Sequence, residues 1–331
     1  MRRKINLILV GLLVGLVLLC WPANPLDLST KKITIPPGAS VAAVQKILQK
    51  SGLLPAFSSF RYLVRIIGQQ NKLQAGTYQF SPSDSLFNII FKLVRGDVVP
   101  QTELTVTFPE GMSIYKMGLV LKKSGYKQWA EFQDLIHEGI KADLRQRHWN
   151  IFKYIPSESL EGYLYPDTYR VYENTSSEVL AEAMIKRFDQ VVMPFWTKSN
   201  KSTRLTLHEV LTLASIIEKE AQKPEERVII SSVFHNRLEA GMPLAADPTI
   251  KYALEQPTKR VYYDQLKIDS LYNTYKRRGL PPGPICNPGI ESIRAAIYPA
   301  KTSYFFFVAK KDGHHVFSRT WQEHQKARNE Q

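Results

Sequence analysis

The chain has 331 residues, of which 44% are hydrophobic and 22% charged, enough apolar surface for two or three folded domains and too much for a disordered chain. Cys20 and Cys286 are its only cysteines; one falls in an apolar N-terminal run and the other in a proline-rich loop, which excludes a disulfide framework. The formal net charge of +14 calls for anionic partners, but no basic stripe interleaved with aromatics and no nucleic-acid motif is present, so nucleic acid is set aside.

Arg2, Arg3 and Lys4 precede an uncharged stretch, residues 5–21, rich in Leu and Val. It has the length of a short membrane span. No small-x-small cleavage site surrounds Trp21, Pro22 and Ala23, and bulky Leu19 argues against lipidation of Cys20. Residues 1–22 are therefore expected to be a cytoplasmic tip and an uncleaved anchor held in membrane lipid, with the rest of the chain outside. Without the three basic residues ahead of the span, that exported part still carries +11.

A linker, residues 23–32, leads to an internal repeat. ITIPPGASV (33–41) returns as VTFPEGMSI (106–114), 73 residues later, and Leu48, Lys50, Ser51 and Gly52 return as Leu121, Lys123, Ser124 and Gly125. Each copy reads as a strand, a Pro-x-Gly turn, a Ser N-cap (Ser40, Ser113), an amphipathic helix and a Gly stop. The unit resembles half of a LysM module, a βααβ fold whose relatives bind N-acetylglucosamine polymers, with residues 73–80 as a closing strand. A generic strand-turn-helix is the alternative. Residues 33–155 are assigned to this LysM-like region and 156–331 to a second domain, giving an α+β class overall: membrane anchor, LysM-like βα repeat region, then a mixed α+β domain. The C-terminus reads as a strand (302–310), an Asp312-Gly313 turn, a return strand (314–318) and a polar helical tail from Thr320.

The segment TLHEVLTLASIIEKEA (206–221) opens with a capping box, Thr206 and Glu209. Leu207, Val210, Leu211, Ala214, Ile217 and Ala221 form one apolar stripe, and Glu218 falls inside it. Glu220 is roughly 160° away around the helix and is expected to be a solvated carboxylate facing Lys223. An acid held against apolar side chains keeps its proton and suits general-acid work. Burial in an ion pair with an arginine such as Arg237 is the alternative, and the helix pattern leaves both open.

The blocks ASIIEKE (214–220), SVFHNRL (232–238), DPT (247–249), YNTY (272–275), GLPPGPI (279–285) and NPG (287–289), with 160–169 and 313–324, resemble the YceG-type endolytic transglycosylases, the MltG family. The resemblance runs in order from residue 33 to 324. It implies cleavage of the β-1,4 bond between N-acetylmuramic acid and N-acetylglucosamine inside nascent strands, leaving 1,6-anhydro ends, with Glu218 as single acid and base and no cofactor or metal. It also implies an inner-membrane protein with its working domain in the periplasm, partnered by peptidoglycan strands and, in that setting, peptidoglycan synthases. Asn236, Arg237, Asp247, Thr249, Tyr272, Asn273, Thr274 and Tyr275 are candidates to grip the sugars, although Asp-Pro-Thr equally spells a helix start. Tyr163, Tyr165 and Asp167 suggest a stacking wall, and aromatics so spaced usually fill a core. Ala245, where a glutamine is common, and Cys286 depart from the family pattern. The histidines His314, His315 and His324 lack metal-ligand spacing. Two rival functions stand beside this one: a non-catalytic peptidoglycan-binding scaffold, and a hydrolase using Glu218 and Asp247 as a carboxyl pair.

Overall fold

The computed structural model describes residues 22–100, 102–134, 142–156, 159–254 and 261–330. The expected anchor, residues 5–21, lies outside these; among the described residues no helix is long and apolar enough to cross a membrane. The chain divides into two compact units between Gln101 and Thr102.

In the first unit, β1 (Lys31–Ile35) leads through α1 (Val41–Lys50) and α2 (Phe60–Ile66) to β2 (Gly76–Phe80), which pairs antiparallel with β1, and α3 (Leu86–Arg95) follows. Ser40 and Ser85 start their helices by accepting the backbone N–H groups of Ala43 and Asn88. Val44, Leu48, Phe60, Val64, Tyr78, Phe80, Ile89 and Leu93 are buried together as this unit's own core. Each large apolar side chain so buried contributes about 1.5–3 kcal/mol.

The second unit repeats the opening. β3 (Glu103–Thr107) is followed by α4 (Ile114–Ser124), α5 (Trp129–Asp134), α6 (Ala142–Arg147) and α7 (Trp149–Phe152), and then by β4 (Thr168–Tyr172), antiparallel to β3. Positions 73 apart do the same work in both copies. Gly38 and Gly111 turn with φ of 72° and 77°, Ser113 accepts from the Lys116 N–H as Ser40 does from Ala43, and Thr34 and Thr107 each share a hydroxyl hydrogen bond with a threonine of the paired strand, Thr77 (3.0 Å) and Thr168 (2.9 Å).

The rest of the unit is helical: α8 (Ser177–Ser199), α9 (Leu207–Glu220), α10 (Arg227–Glu239), α11 (Asp247–Ala253) and α12 (Ile290–Ile297), then the hairpin β5 (Phe306–Ala309) and β6 (His315–Ser318) and the tail helix α13 (Trp321–Asn329). Phe108, Leu121 and Tyr126 of the second repeat share one core with Leu207, Leu211 and Ile217 of α9. That shared core, and the β3–β4 ladder, explain why the boundary falls at 101/102 rather than at the expected 155/156: the second copy of the repeat belongs to the second unit.

Candidate active site

Both hydrogen bonds of the α9 capping box are made: Glu209 N–H to Thr206 Oγ1 (3.3 Å) and Thr206 N–H to the Glu209 carboxylate (2.8 Å). The middle of α9 is buried on every side, Ser215 and Ile216 included, and its last turn approaches solvent. There Glu218 keeps 8% of its side chain exposed. α12 packs against α9 and points its N-terminus at this carboxyl. Ser292 Oγ donates to Glu218 Oε2 at 2.6 Å and the Gly289 N–H at 3.2 Å, while Arg227 Nη2 stands 3.5 Å from Oε1. The expected apolar setting is thus replaced by a polar one, because the stripe position at the end of α9 meets a helix N-terminus, whose dipole favours an anion. The arginine is Arg227, at the start of α10; Arg237, nearly three turns further along, is committed elsewhere.

Asn287 locks three loops around this point. Its side-chain oxygen accepts from the N–H groups of Gly162 (2.9 Å) and Leu164 (3.0 Å), and its amide donates to Met112 O (3.1 Å) and Glu161 Oε1 (2.9 Å). Its backbone exchanges hydrogen bonds with Met112 and Gly111, both 2.9 Å. Glu161 is buried and accepts the Ile114 N–H (3.1 Å); burial pushes its carboxyl up to about 8, against the pull of these donors. Ser215 Oγ accepts the Ile285 N–H (3.0 Å), stitching the same loop to α9. The result brings the Glu110-Gly111 turn onto Glu218: a methyl on Gly111 would lie 3.3 Å from Glu218 Cγ, and one on Gly289 would lie 2.0 Å from the Glu110 carboxyl carbon. Glu110 is exposed as a residue, but its carboxyl rests on Gly289. Desolvation there and the charge of Glu218 raise it above the ordinary range, Arg227 opposing and Glu291 adding a little.

Glu220 differs from its expected role. It does not face Lys223 in water. Its carboxyl is desolvated beside Asp247 and rises to about 7, with Lys251 and Arg237 pulling it down. This is a second acidic cluster: Tyr275 OH donates to Asp247 at 2.5 Å, Thr249 and Thr274 join hydroxyls at 2.9 Å, and Thr274 accepts the Ala246 N–H. Ala245 holds this turn at a φ of 46°, a left-handed conformation that costs an alanine energy.

The remaining predicted residues serve the scaffold. Asn236 donates to Thr302 O and Tyr304 O, and Arg237 to Phe305 O and Leu244 O, anchoring the β5 approach to α10. Asn273 is buried and ties its own loop to Leu266 O and Ile268 O. Tyr272 packs on Tyr252 at 4.9 Å. Tyr163 is buried, with its hydroxyl on His208 Nδ1 (2.8 Å), so it fills the core and forms no stacking wall; Asp167 pairs with Arg187 at 2.7 Å. Asp247, Thr249, Thr274 and Tyr275 are brought together near Glu220, while Asn236 faces a separate cavity of about 790 Å³ that includes neither glutamate. Sequence reasoning missed Glu110, Arg227, Glu161 and Ser292. Two signals were available: a glutamate in the second Pro-x-Gly turn, and Asn287-Pro-Gly289 at the head of a helix.

The YceG-like family model matches residues 33–330. The chain is 38% identical to a protein of Bacillus subtilis named endolytic murein transglycosylase, over 91% of this chain and 84% of that one. It is 31% identical to a protein of the same name from Streptococcus pneumoniae, over 86% of this chain and 56% of the relative, so it spans just over half of that longer protein. The crystal structure of a protein described as YceG-like from Listeria monocytogenes superposes with a TM-score of 0.60 at 33% identity, over 90% of this chain and 99% of that one. On the family match and on these identities, the chain belongs to the YceG-like family.

Proposed function

We propose that this chain is a peptidoglycan lytic transglycosylase, an endolytic lyase that cuts the β-1,4 bond between N-acetylmuramic acid and N-acetylglucosamine in nascent strands. Family membership supports the class of reaction. The observation that carries the residue assignment is the Glu218 carboxyl, almost closed off from water, with Oε2 fixed by Ser292 and Gly289 and Oε1 beside Arg227. Such fixing is what proton transfer at a defined atom requires.

In this reading Glu218 gives its proton to the glycosidic oxygen as the bond to C1 breaks. The carboxylate left behind is stabilised by Arg227 and by the N-terminus of α12. It then takes the proton of the C6 hydroxyl of the same sugar while O6 closes on C1. The product is a 1,6-anhydro end, the acid is restored, and no water, second carboxylate or metal is consumed. The first unit's strand-helix-helix-strand order supports the LysM-like reading, with glycan binding as its job. Residues 5–21 are the anchor in the inner membrane, with the two units in the periplasm beside peptidoglycan synthases; N-terminal sequencing of membrane-extracted protein that began near Ala23 would refute the anchor.

A specific observation favours a second reading of the acid. Glu220, raised to about 7, holds a proton near neutrality and lies two residues away. Mass spectrometry of digested, purified wall separates the two. Glu218→Gln is expected to lower release of anhydro-muropeptides by about 10²–10⁴-fold, and Glu220→Gln by far less. Reversal of that order moves the acid to Glu220; reducing ends in place of anhydro ends mean a hydrolase; an unaltered wall with the native chain means a scaffold.

A further inference from the structure

We propose that Glu226 and His315 are positioning residues of the same site: the C-terminal hairpin grips the Glu226 carboxylate and through it sets the head of α10, so that Arg227, the next residue, stays aimed at the Glu218 carboxyl. This rests on the assignment of Glu218 above and deepens it.

The contacts run in one line from hairpin to acid. Glu226, the residue before α10, is buried, and its side chain turns to β6: Oε1 accepts the His315 N–H at 2.9 Å, Oε2 lies 2.6 Å from His315 Nδ1, and His314 Nδ1 is 3.4 Å from Oε1. The His315 ring is itself enclosed, with 3% of its side chain exposed, edge-on to Phe307 at 5.4 Å and beside Phe317. The hairpin tip rests on the α9–α10 connection as well, since a methyl on Gly313 would lie 3.2 Å from Gln222 Oε1 and 3.4 Å from Lys223 Cε. Arg227 turns the other way, and its Nη2 stands 3.5 Å from Glu218 Oε1.

Two observations separate this grip from ordinary packing. Arg227 Nε is buried with no hydrogen-bond partner among the described residues. On that edge nothing steers the guanidinium, and its aim depends on the backbone that carries it. That backbone is tied downstream by Val228 O, which accepts the Ala300 N–H at 2.9 Å, and by Ser231 Oγ, which donates to Ala295 O at 2.7 Å; upstream, the tie to another element is the Glu226 carboxylate. Secondly, a buried carboxylate and imidazole gain little stability from each other, because desolvation offsets their attraction; what the pair supplies here is direction. A guanidinium that drifts from Oε1 no longer neutralises the carboxylate that glycosidic cleavage leaves on Glu218, and a shift of about 1 Å is enough to cost about 10²-fold in rate.

The test is a double-mutant cycle on kcat and KM for anhydro-end release by the full chain on purified glycan strands. Glu226→Ala is expected to lower kcat by about 10²-fold with KM nearly unchanged. It is expected to cost nothing further once Arg227→Ala has been made, since a residue acting through Arg227 then has nothing left to aim. Glu226→Gln is expected to regain most of kcat: its amide oxygen still accepts the His315 N–H, and its NH2 donates to Nδ1 when the imidazole proton moves to Nε2. His315→Phe, which keeps a ring against Phe307 and Phe317 and withdraws Nδ1, serves if Glu226→Ala does not fold, with the same non-additivity expected. An unchanged kcat in both Glu226→Ala and His315→Phe, or losses that multiply with that of Arg227→Ala, overturns the proposal. A second arm needs no activity: in nitrogen-15 NMR spectra the Arg227 Nε–H signal, identified by its absence from Arg227→Lys, is expected to shift in Glu226→Ala and to return to its native place in Glu226→Gln. An unmoved signal in Glu226→Ala overturns the grip on Arg227, whereas a native chain that releases no anhydro ends defeats the functional reading and leaves the NMR arm to decide the grip.

Discussion

Gly38 and Gly111 are the same residue in two copies of one turn, and the difference between them isolates what the second copy does. Both adopt a positive φ, 72° and 77°, so alanine at either costs roughly 1–2 kcal/mol of backbone strain. A methyl at Gly38 meets nothing within 4 Å, whereas at Gly111 it meets Glu218 Cγ at 3.3 Å. Glu218 is held on its other side by Ser292 and Gly289 and has little room to give. Gly38→Ala and Gly111→Ala are therefore expected to show similar losses in denaturant unfolding of their own units, and only Gly111→Ala a loss of glycan cleavage. Equal cleavage by both would show that the turn does not bear on the carboxyl.

At the scale of elements, the site is an agreement among three loops rather than a property of any one helix, and this decides how much could be read in advance. The capping box, the C-terminal hairpin and the tail helix are local patterns, set by residues within a few positions of one another, and all were legible, whereas the one-sided stripe expected of α9 gives way to a helix buried on every side. The partners of Glu218 were not: Ser292 and Gly289 lie over 70 residues away, and only Asn287 at the crossing of the loops brings them in. For Glu220 the helical angle set it apart from Glu218, but what covers that face, Asp247 and Tyr275, comes from a distant segment with no periodic signal, so the expected solvated carboxylate was not found. Glu161 in the same hub makes a measurable prediction. Its folded carboxyl titrates at about 8 against an ordinary 4.5, so the folded chain binds more protons than the unfolded one between those values. Its stabilising contribution is complete below the ordinary carboxyl range, falls as pH rises, and levels off above about 8, on the order of 5 kcal/mol in all. Glu161→Gln, which can still accept the Ile114 N–H, is expected to flatten the decline of Tm of the second unit between pH 5 and pH 8. A decline as steep as that of the native chain would place the titrating group elsewhere.

For the molecule as a whole, the two candidate acids, Glu218 and Glu220, and the residues built around Glu218, namely Glu110, Glu161, Arg227, Asn287 and Ser292, fall in the unit that begins at Thr102, although the repeat by itself suggested that both of its copies belong to a separate binding region. A fragment of residues 33–155 would keep β3 but not its partner β4, and would uncover Val106, Phe108, Leu121 and Tyr126, which are buried against the rest of the second unit. An unpaired strand beside exposed aromatics is an aggregation hazard. A fragment of residues 22–101 breaks no ladder and keeps its whole core, Val44, Leu48, Phe60, Tyr78 and Phe80 among it. The 22–101 fragment is accordingly expected to unfold cooperatively and the 33–155 fragment to aggregate or lack a thermal transition. The 102–331 fragment is expected to fold and to release anhydro ends from glycan strands, with weaker retention on sacculi if the first unit supplies glycan affinity. Cooperative folding of 33–155 would restore the boundary read from the repeat, and a well-folded 102–331 that cut nothing would mean that the first unit contributes to the chemistry itself.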